Sequence, residues 1–161
     1  MTLVIDASVF NKLFLKEDDT PDAQAFLTAA ITARAPLIAP TLLRLEMCKV
    51  ALHYGVAFSV PLGILNVHIA AGLELIDPSD VIWEQAETLS HHGHDKSGYP
   101  SLEDSLYHAL AIRAGGTFVT ADTRHLAKTV ADFGHAVALR DWETLRFERS
   151  GGSGVKSQGS D

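Results

Sequence analysis

The sequence has one cysteine, and this scarcity excludes disulfide-stabilised folds. Cys48 is the only thiol among the 161 residues, so no disulfide can form within the chain. Cys48 falls in an apolar helical pattern, where we expect a small, buried hydrophobic residue. A chain without disulfides fits a reducing compartment, and we predict the cytoplasm.

Long uninterrupted apolar runs are also missing. Asp6 interrupts the N-terminus before the apolar segment of a signal peptide could develop. The most apolar stretch, Val56 to Ile76, is broken by Pro61, Gly63 and several polar residues. We therefore expect this stretch to pack in the core, and no segment to span a membrane.

Two common catalytic signatures are absent from the sequence. No glycine-rich phosphate loop is present, because Gly115-Gly116 lacks the flanking pattern and is typical of a helix end. No Ser–His–Asp order can be argued either. These absences disfavour a nucleotide-binding P-loop enzyme and a serine hydrolase.

What the sequence does contain is a regular alternation of strand and helix patterns. Apolar residues make up 47% of the chain, enough for one domain with a real core. Helical patterns separate the strands, which predicts an α/β fold, a three-layer α/β/α sandwich with a parallel sheet of about five strands. The predicted strands are Thr2–Ile5, Leu37–Ala39, Leu73–Ile76, Thr117–Ala121 and Ala136–Leu139.

The helix and domain limits follow from capping residues, glycines and composition. We expect a folded domain over residues 1–148 and a flexible Gly/Ser-rich tail over residues 149–161. The predicted helices are Ser8–Lys16, Pro21–Ala33, one from Thr41 to before Gly55, one from about Leu62, Ser79–Ser90, Leu102–Ala114 and Thr123–Asp132.

Four acidic residues occupy positions that such a fold would bring together. Asp6 and Asp122 each close an apolar strand, and the carboxyl ends of parallel strands share the edge where ligands bind. Glu46 and Asp104 lie in the first turns of two other helices. Clustered carboxylates repel each other unless cations lie between them, and hard oxygen ligands suit Mg²⁺ or Mn²⁺. The pattern therefore indicates metal-assisted chemistry on phosphate.

Each acid has a simpler explanation when taken alone. Asp6 and Asp122 could cap the helices that follow them. Asp104 has capping-box spacing from Ser101, although the helical wheel places it opposite the main apolar face. Glu46 could be a solvated side chain paired with a neighbouring basic residue. The argument for a site rests on the four acids together.

The formal charge of −7 is unusual for a protein that binds nucleic acid. Four of these negative charges could belong to a metal site, where divalent ions would cancel them. The charge therefore neither supports nor excludes RNA as a ligand. Basic residues close in sequence to the acids are candidates for phosphate contacts, namely Lys12, Arg44, Lys49 and Arg124.

A histidine-rich segment, His91-His92-Gly93-His94, is the second conspicuous motif. Three histidines could bind zinc, but no cysteine and no helical spacing support such a site, and a solvated loop is the better interpretation. We interpret His108 and His125 as surface or supporting groups and not as catalytic bases.

The order of these motifs resembles that of PIN-domain proteins. Val4-Ile5-Asp6-Ala7-Ser8-Val9 resembles their opening, and Glu46 matches their second acidic position. Leu102-Glu103-Asp104-Ser105-Leu106-Tyr107-His108 is similar to the third motif, and Val119-Thr120-Ala121-Asp122 to the fourth. The resemblance spans about Leu3 to Trp142 and is nearest to VapC-type toxins of type II toxin–antitoxin pairs.

The resemblance implies a Mg²⁺- or Mn²⁺-dependent endoribonuclease with a five-stranded parallel α/β/α sandwich. It also implies a homodimer held inactive by a cognate VapB-type antitoxin. Carried over to this sequence, Asp6, Glu46, Asp104 and Asp122 hold the metal, and Ser8 and Thr120 orient carboxylates or a metal-bound water. The apolar stretch around Val60–Ile69 is a candidate dimer surface.

Two other functions remain open from the residues. An aspartyl-phosphate phosphatase would want a second Asp two positions after Asp6, where Ser8 stands. A non-catalytic α/β domain could bind a partner through the same acidic pocket. The RNA target is not indicated by the sequence.

Overall fold

Five parallel strands form one sheet at the centre of the molecule. The computed structural model describes residues 1–93 and 95–147, so the predicted Gly/Ser-rich tail at 149–161 lies outside the described residues. The strand order is β3-β2-β1-β4-β5 and every neighbouring pair is parallel. The strands are β1 Leu3–Ile5, β2 Leu37–Pro40, β3 Leu73–Ile76, β4 Thr117–Thr120 and β5 Ala136–Ala138.

In the part of the chain that the structure describes, seven helices connect and cover these strands. They are α1 Ala7–Phe10, α2 Thr20–Thr32, α3 Leu42–His53, α4 Ser59–Ala70, α5 Asp80–Ser90, α6 Leu102–Ala114 and α7 Thr123–Phe133. Two 3₁₀ segments, Asn11–Leu13 and Leu139–Thr144, extend α1 and follow β5. The predicted three-layer α/β/α fold with a five-stranded parallel sheet is confirmed.

The central strand β1 shows that both faces of the sheet are covered. Leu3, Val4 and Ile5 are all fully buried, although successive side chains of a strand point to opposite faces. Gly116 allows β1 and β4 to lie side by side, because a Cβ there would lie 2.4 Å from the carbonyl oxygen of Thr2. The strand ends that follow Ile5 and Thr120 are thereby fixed next to each other.

Helix α6 is the most deeply buried helix segment around the sheet. It contacts β1, β2 and β4 as well as α5, and Ser105 to Ala111 is buried without interruption. His108 and His125 are buried here, so of the two interpretations, surface or supporting groups, the surface one is excluded. His108 Nδ1 lies 3.0 Å from His125 Nε2, and His108 Nε2 lies 2.7 Å from the carbonyl oxygen of Gly134.

The first helix is shorter than predicted. The α-helix ends at Phe10 and the chain tightens into the 3₁₀ segment instead of continuing to Lys16. Lys12 is 5% exposed, and its Nζ lies 2.6 Å from Glu17 and 2.8 Å from Asp19. These two ion pairs hold the following loop against the helix, which ends it early. They also remove Lys12 from the candidate phosphate contacts.

Helix α4 differs from the sequence prediction in both start and burial. It begins at Ser59 and not near Leu62, since Pro61 falls in the first turn, where proline is well tolerated. Only Pro61 and Leu65 of this helix are buried, so the expectation that the stretch Val56 to Ile76 packs in the core was wrong for most of the helix. It holds for the β3 end of the stretch, where Leu73 is in the core. The helix packs on α3 and the edge strand β3, which leaves much of it exposed.

Two smaller expectations concern Cys48 and the membrane. Cys48 is half-buried, because it lies beside the buried stripe of α3 and not within it. Among the described residues, no helix combines the length and apolar character needed to cross a bilayer.

Candidate active site

All four predicted acidic residues line one cavity of about 210 Å³. Asp6 follows β1 and Asp122 follows the end of the neighbouring strand β4, so the topology brings these two together. Glu46 reaches the cavity from α3 and Asp104 from the first turn of α6. The sheet edge and two helices therefore converge on a single acidic pocket.

Asp6 is the most buried of the four acids, with 3% of its surface exposed. The hydroxyl of Ser8 donates a hydrogen bond to Oδ1, and the hydroxyl of Thr120 donates one to Oδ2 at 2.6 Å. Asp6 precedes α1, but its side chain makes no capping hydrogen bond. The capping explanation is therefore wrong for Asp6, whose carboxylate is held by side chains of two elements.

The same two hydroxyls join the ends of β1 and β4. Ser8 Oγ accepts a hydrogen bond from the backbone N–H of Ala121 at 3.0 Å. Thr120 Oγ1 accepts one from the backbone N–H of Asp122, also at 3.0 Å. Each hydroxyl thus donates to Asp6 while it accepts from the segment that carries Asp122. This arrangement fixes the two strand-end acids relative to each other.

Glu46 is half-buried and is held by a tyrosine. The phenol of Tyr107 donates a hydrogen bond of 2.5 Å to Glu46 Oε2, and Tyr107 is 1% exposed. The explanation of Glu46 as a freely solvated side chain is therefore wrong. This role of Tyr107 was not predicted, although its position three residues after Asp104 places both on one helix face.

Asp104 combines a capping contact with a place in the cavity. Ser101 Oγ accepts a hydrogen bond from the backbone N–H of Asp104 at 3.1 Å and donates one to Asp104 Oδ2 at 2.9 Å. In a capping box the carboxylate accepts from the backbone N–H of the capping residue, whereas Asp104 accepts from the Ser101 hydroxyl instead. The cap fixes the start of α6 and so the position of this acid.

Asp122 does cap its helix, as one of the simpler explanations suggested. Its Oδ1 accepts a hydrogen bond from the backbone N–H of Arg124 at 2.9 Å. The Arg124 guanidinium adds two longer bonds, from Nε and Nη2, both at 3.3 Å. Asp122 is thus the one acid of the four that is paired with a cation in the described ion pairs.

Asn11 is a cavity residue that sequence reasoning missed. It is buried and lines the pocket, and its Oδ1 has no hydrogen-bond partner among the described residues. A polar residue three positions after Ser8 on a short helix was the available signal. Lys49 also lines the cavity, whereas Arg44 is exposed and is not among the lining residues.

Burial makes three of the four acids hold protons more tightly than usual. Desolvation, with the charges of Asp104 and Glu46, raises the pKa of Asp6 to about 7 despite the hydrogen bonds from Ser8 and Thr120. Desolvation and the charge of Asp104 likewise raise the pKa of Glu46 to about 7. Desolvation by burial also raises the pKa of Asp104.

Asp122 behaves in the opposite way. Its partial burial would raise its pKa, but the hydrogen bonds from Arg124 outweigh burial and lower it. The cavity therefore combines one well-stabilised carboxylate with three whose negative charge is opposed by burial and by each other.

The donor chemistry of the cavity fits a hard divalent cation that keeps part of its water shell. Four carboxylates and the unpartnered Asn11 Oδ1 all offer oxygen. Within residues 1–93 and 95–147, no three His, Cys, Asp or Glu side chains converge into a ready-made ligand cluster. Mg²⁺ usually binds through one or two carboxylates and retains several waters, so a wider ring of acids suits it.

The comparison with known families agrees with this geometry. A family model described as PIN domain matches residues 3–131, which include all four acids. No protein of curated function matches the chain significantly.

We predict that Asp6→Asn makes the metal-free protein more stable than the parent at pH 8. Folding raises the pKa of Asp6 from 3.8 to about 7, so the folded state favours the protonated side chain. The stability that this protonated Asp6 contributes is fully present below pH 3.8 and is lost as pH rises through about 7. Asparagine does not titrate, so the variant does not lose this stability. The free energy of unfolding of the variant, relative to that of the parent, should therefore increase by about 2–4 kcal/mol between pH 4 and pH 8. Urea unfolding in EDTA across this pH range measures the difference.

The exposed loop residue Asp18 supplies the matched control. Asp18→Asn should follow the parent at every pH. An advantage of Asp6→Asn that stays constant from pH 4 to pH 8 would contradict the account of a carboxylate destabilised by burial.

Proposed function

Because the chain belongs to the PIN-domain family, whose members are generally metal-dependent nucleases, we propose that it is a Mg²⁺- or Mn²⁺-dependent endoribonuclease. One observation carries the proposal. Three of the four cavity carboxylates are held by neutral hydroxyls, which fix their positions without cancelling their charge. Within the described ion pairs, no protein cation neutralises the negative charge of these three carboxylates, so a divalent cation could neutralise it.

In this proposal Asp6, Glu46, Asp104 and Asp122 hold the cation and are the catalytic acids. Ser8 and Thr120 orient the Asp6 carboxylate, and Tyr107 orients Glu46. Each carboxylate oxygen has more than one lone pair, so these hydrogen bonds leave acceptor sites open to the cavity. The cation would contribute a lowered pKa of bound water and neutralisation of developing charge.

The reaction we propose is hydrolysis of an RNA phosphodiester bond. Water attacks phosphorus in line, the bond to the 3′ oxygen breaks, and that oxygen takes up a proton. The products carry a 5′-phosphate and a 3′-hydroxyl. Lys49 is exposed and lines the cavity, and it would contact the phosphate. The geometry at Ser8 does not favour the phosphatase alternative, because its hydroxyl is bonded to Asp6 where that chemistry needs a second carboxylate.

We also propose that the protein is the toxin of a VapBC-type pair with a VapB-type antitoxin as partner. The ordered set of four acidic motifs between about Leu3 and Trp142 supports the VapC type. A small DNA-binding protein encoded immediately upstream would identify the antitoxin, and a neighbourhood without any such gene would count against this part of the proposal.

A homodimer through α3 and α4 is the assembly we propose. These helices and the segment that joins them expose a set of large apolar side chains that an isolated monomer would leave in water. The set comprises Leu45, Leu52, Tyr54, Phe58, Val60, Val67 and Ile69, which are 37–69% exposed. The predicted dimer stretch, Val60–Ile69, belongs to this surface.

We predict that Asp104→Asn abolishes Mg²⁺-stimulated cleavage of single-stranded RNA. The loss should reach at least about a hundredfold, since the charge that holds the cation is removed while the Ser101 cap can persist. Gel analysis of labelled RNA with Mg²⁺, with Mn²⁺ and with EDTA provides the measurement. Asp18→Asn is the control and should cleave like the parent.

Two outcomes would overturn the nuclease proposal. Asp104→Asn could cleave as fast as the parent, which would mean that the site is misassigned. Alternatively, the parent could show no cleavage at any Mg²⁺ or Mn²⁺ concentration, which would favour the partner-binding domain.

For the assembly, Val67→Lys should convert a dimer of 17.4 kDa chains into monomers. Val67 is 67% exposed on α4, and a lysine there would place a charge in the proposed interface. Val81→Lys, on the exposed face of α5, is the matched control and should leave the dimer intact. Light scattering gives the masses, and a monomeric parent would refute the interface.

A further inference from the structure

A second cavity, of about 560 Å³, has two cationic residues in its lining, and one of them, Arg124, binds Asp122 of the acidic cavity. It is formed between the segment after α5 and the first half of α7. Its lining includes Arg124 and Lys128 together with His91, His92 and Ser97. Among the described residues that line it, none is acidic. This basic cavity stands out on a chain whose formal charge is −7.

The two cations lie on one face of α7, because residues four positions apart are neighbours on a helix. Lys128 Nζ donates a hydrogen bond of 3.3 Å to the carbonyl oxygen of Tyr99, which holds it at the cavity wall. Arg124 links the two cavities, since the guanidinium that lines the basic one also binds Asp122 in the acidic one.

The histidines contribute flat rings at the opposite wall. His92 Nε2 lies 2.6 Å from Asp132 Oδ2, and the ring of Phe133 packs edge-on at 4.9 Å, so the orientation of His92 is fixed. The side chain of His91 is 78% exposed at the rim. Imidazole rings, like other aromatic groups, offer faces on which an unpaired base can stack.

The loop that carries these histidines has a close-packed turn. A Cβ on Gly93 would lie 2.6 Å from the carbonyl oxygen of Gly98 and 2.7 Å from the Cα of Tyr99. Glycine is therefore required for this loop to fold back on itself. Two contacts therefore hold this wall of the cavity. One is the packing of Gly93 against Gly98 and Tyr99, and the other is the hydrogen bond from Lys128 to Tyr99.

We propose that this basic cavity binds one nucleotide of the single-stranded RNA next to the bond that is cut. Its volume falls within the range of pockets for small ligands and exceeds what a phosphate alone needs. Arg124 and Lys128 contact the phosphate, and His91 and His92 contact the base. The proposal rests on the ribonuclease function, because the shared Asp122–Arg124 pair places this nucleotide beside the acidic cavity.

Lys128→Gln tests the phosphate contact without touching the acidic cavity. The probe is a fluorescein-labelled single-stranded RNA decamer of mixed sequence, bound in EDTA so that no cleavage occurs. Fluorescence anisotropy should show binding weakened by about three- to tenfold at low salt, with the salt slope reduced by about one. Lys16→Gln, an exposed lysine outside this cavity, carries the same charge change and should bind like the parent.

His91→Ala tests the base contact with a second probe. An abasic ribose-phosphate decamer retains the phosphates but has nothing to stack. His91→Ala should weaken binding of the RNA decamer by about fivefold or more and leave the abasic probe unaffected, whereas Lys128→Gln should weaken both.

The outcomes separate this proposal from the nuclease proposal. If the parent cleaves RNA but Lys128→Gln and Lys16→Gln bind the decamer equally well, the cavity proposal fails and the nuclease stands. If Lys128→Gln weakens binding but the parent never cleaves, the cavity is an RNA-binding site, whereas the nuclease proposal and the placement of the nucleotide beside a cut bond both fail. In an active enzyme, Lys128→Gln should raise KM severalfold with kcat nearly unchanged. A parent that does not bind the decamer would overturn the cavity proposal outright.

Discussion

The main constraint on this structure is the burial of one carboxylate, that of Asp6, at the end of a fully buried strand. Asp6 follows three residues with no solvent exposure, so the sheet itself draws the charge out of water. Such burial is unfavourable unless the charge is protonated, paired or bound to a cation. The hydroxyls of Ser8 and Thr120 hold Asp6 in place but leave its charge uncancelled.

The other acids extend the same design from different elements. Tyr107 holds Glu46 and Ser101 holds Asp104, again through neutral hydroxyls, whereas Asp122 alone receives a guanidinium. Arg124 thereby marks the boundary between the acidic cavity and the basic one beside it. Under the proposed function, the acidic cavity takes the cation and the basic cavity takes an anionic part of the substrate, which is what a metal-assisted reaction on a polyanion requires.

The sequence predicted what depends on local pattern and on topology. The strands lie within a residue of their predicted limits, and Asp6 and Asp122 meet because both follow neighbouring parallel strands. Glu46 and Asp104 were expected at this site because their helices begin where they could pack near those strand ends, and the family resemblance matched the same two residues. A helix wheel alone does not show which neighbour a polar face meets.

The misses have tertiary causes that a single sequence does not contain. The ion pairs of Lys12 with Glu17 and Asp19 removed a candidate phosphate contact. The surface position of α4 arises because it packs against an edge strand, and no apolar pattern distinguishes an edge from a centre. The roles of Asn11 and Tyr107 depend on how the helices pack around the cavity, which the sequence pattern does not give.

The most direct test of the central claim is calorimetric titration of the parent with Mn²⁺ at several pH values. If the acidic cavity is a cation site whose carboxylates hold protons near neutrality, Mn²⁺ should bind at pH 7 with release of protons, and its affinity should fall at least about tenfold from pH 8 to pH 6. Asp6→Asn should remove this behaviour. Absence of Mn²⁺ binding, or an affinity that does not change with pH and survives in Asp6→Asn, would contradict the account.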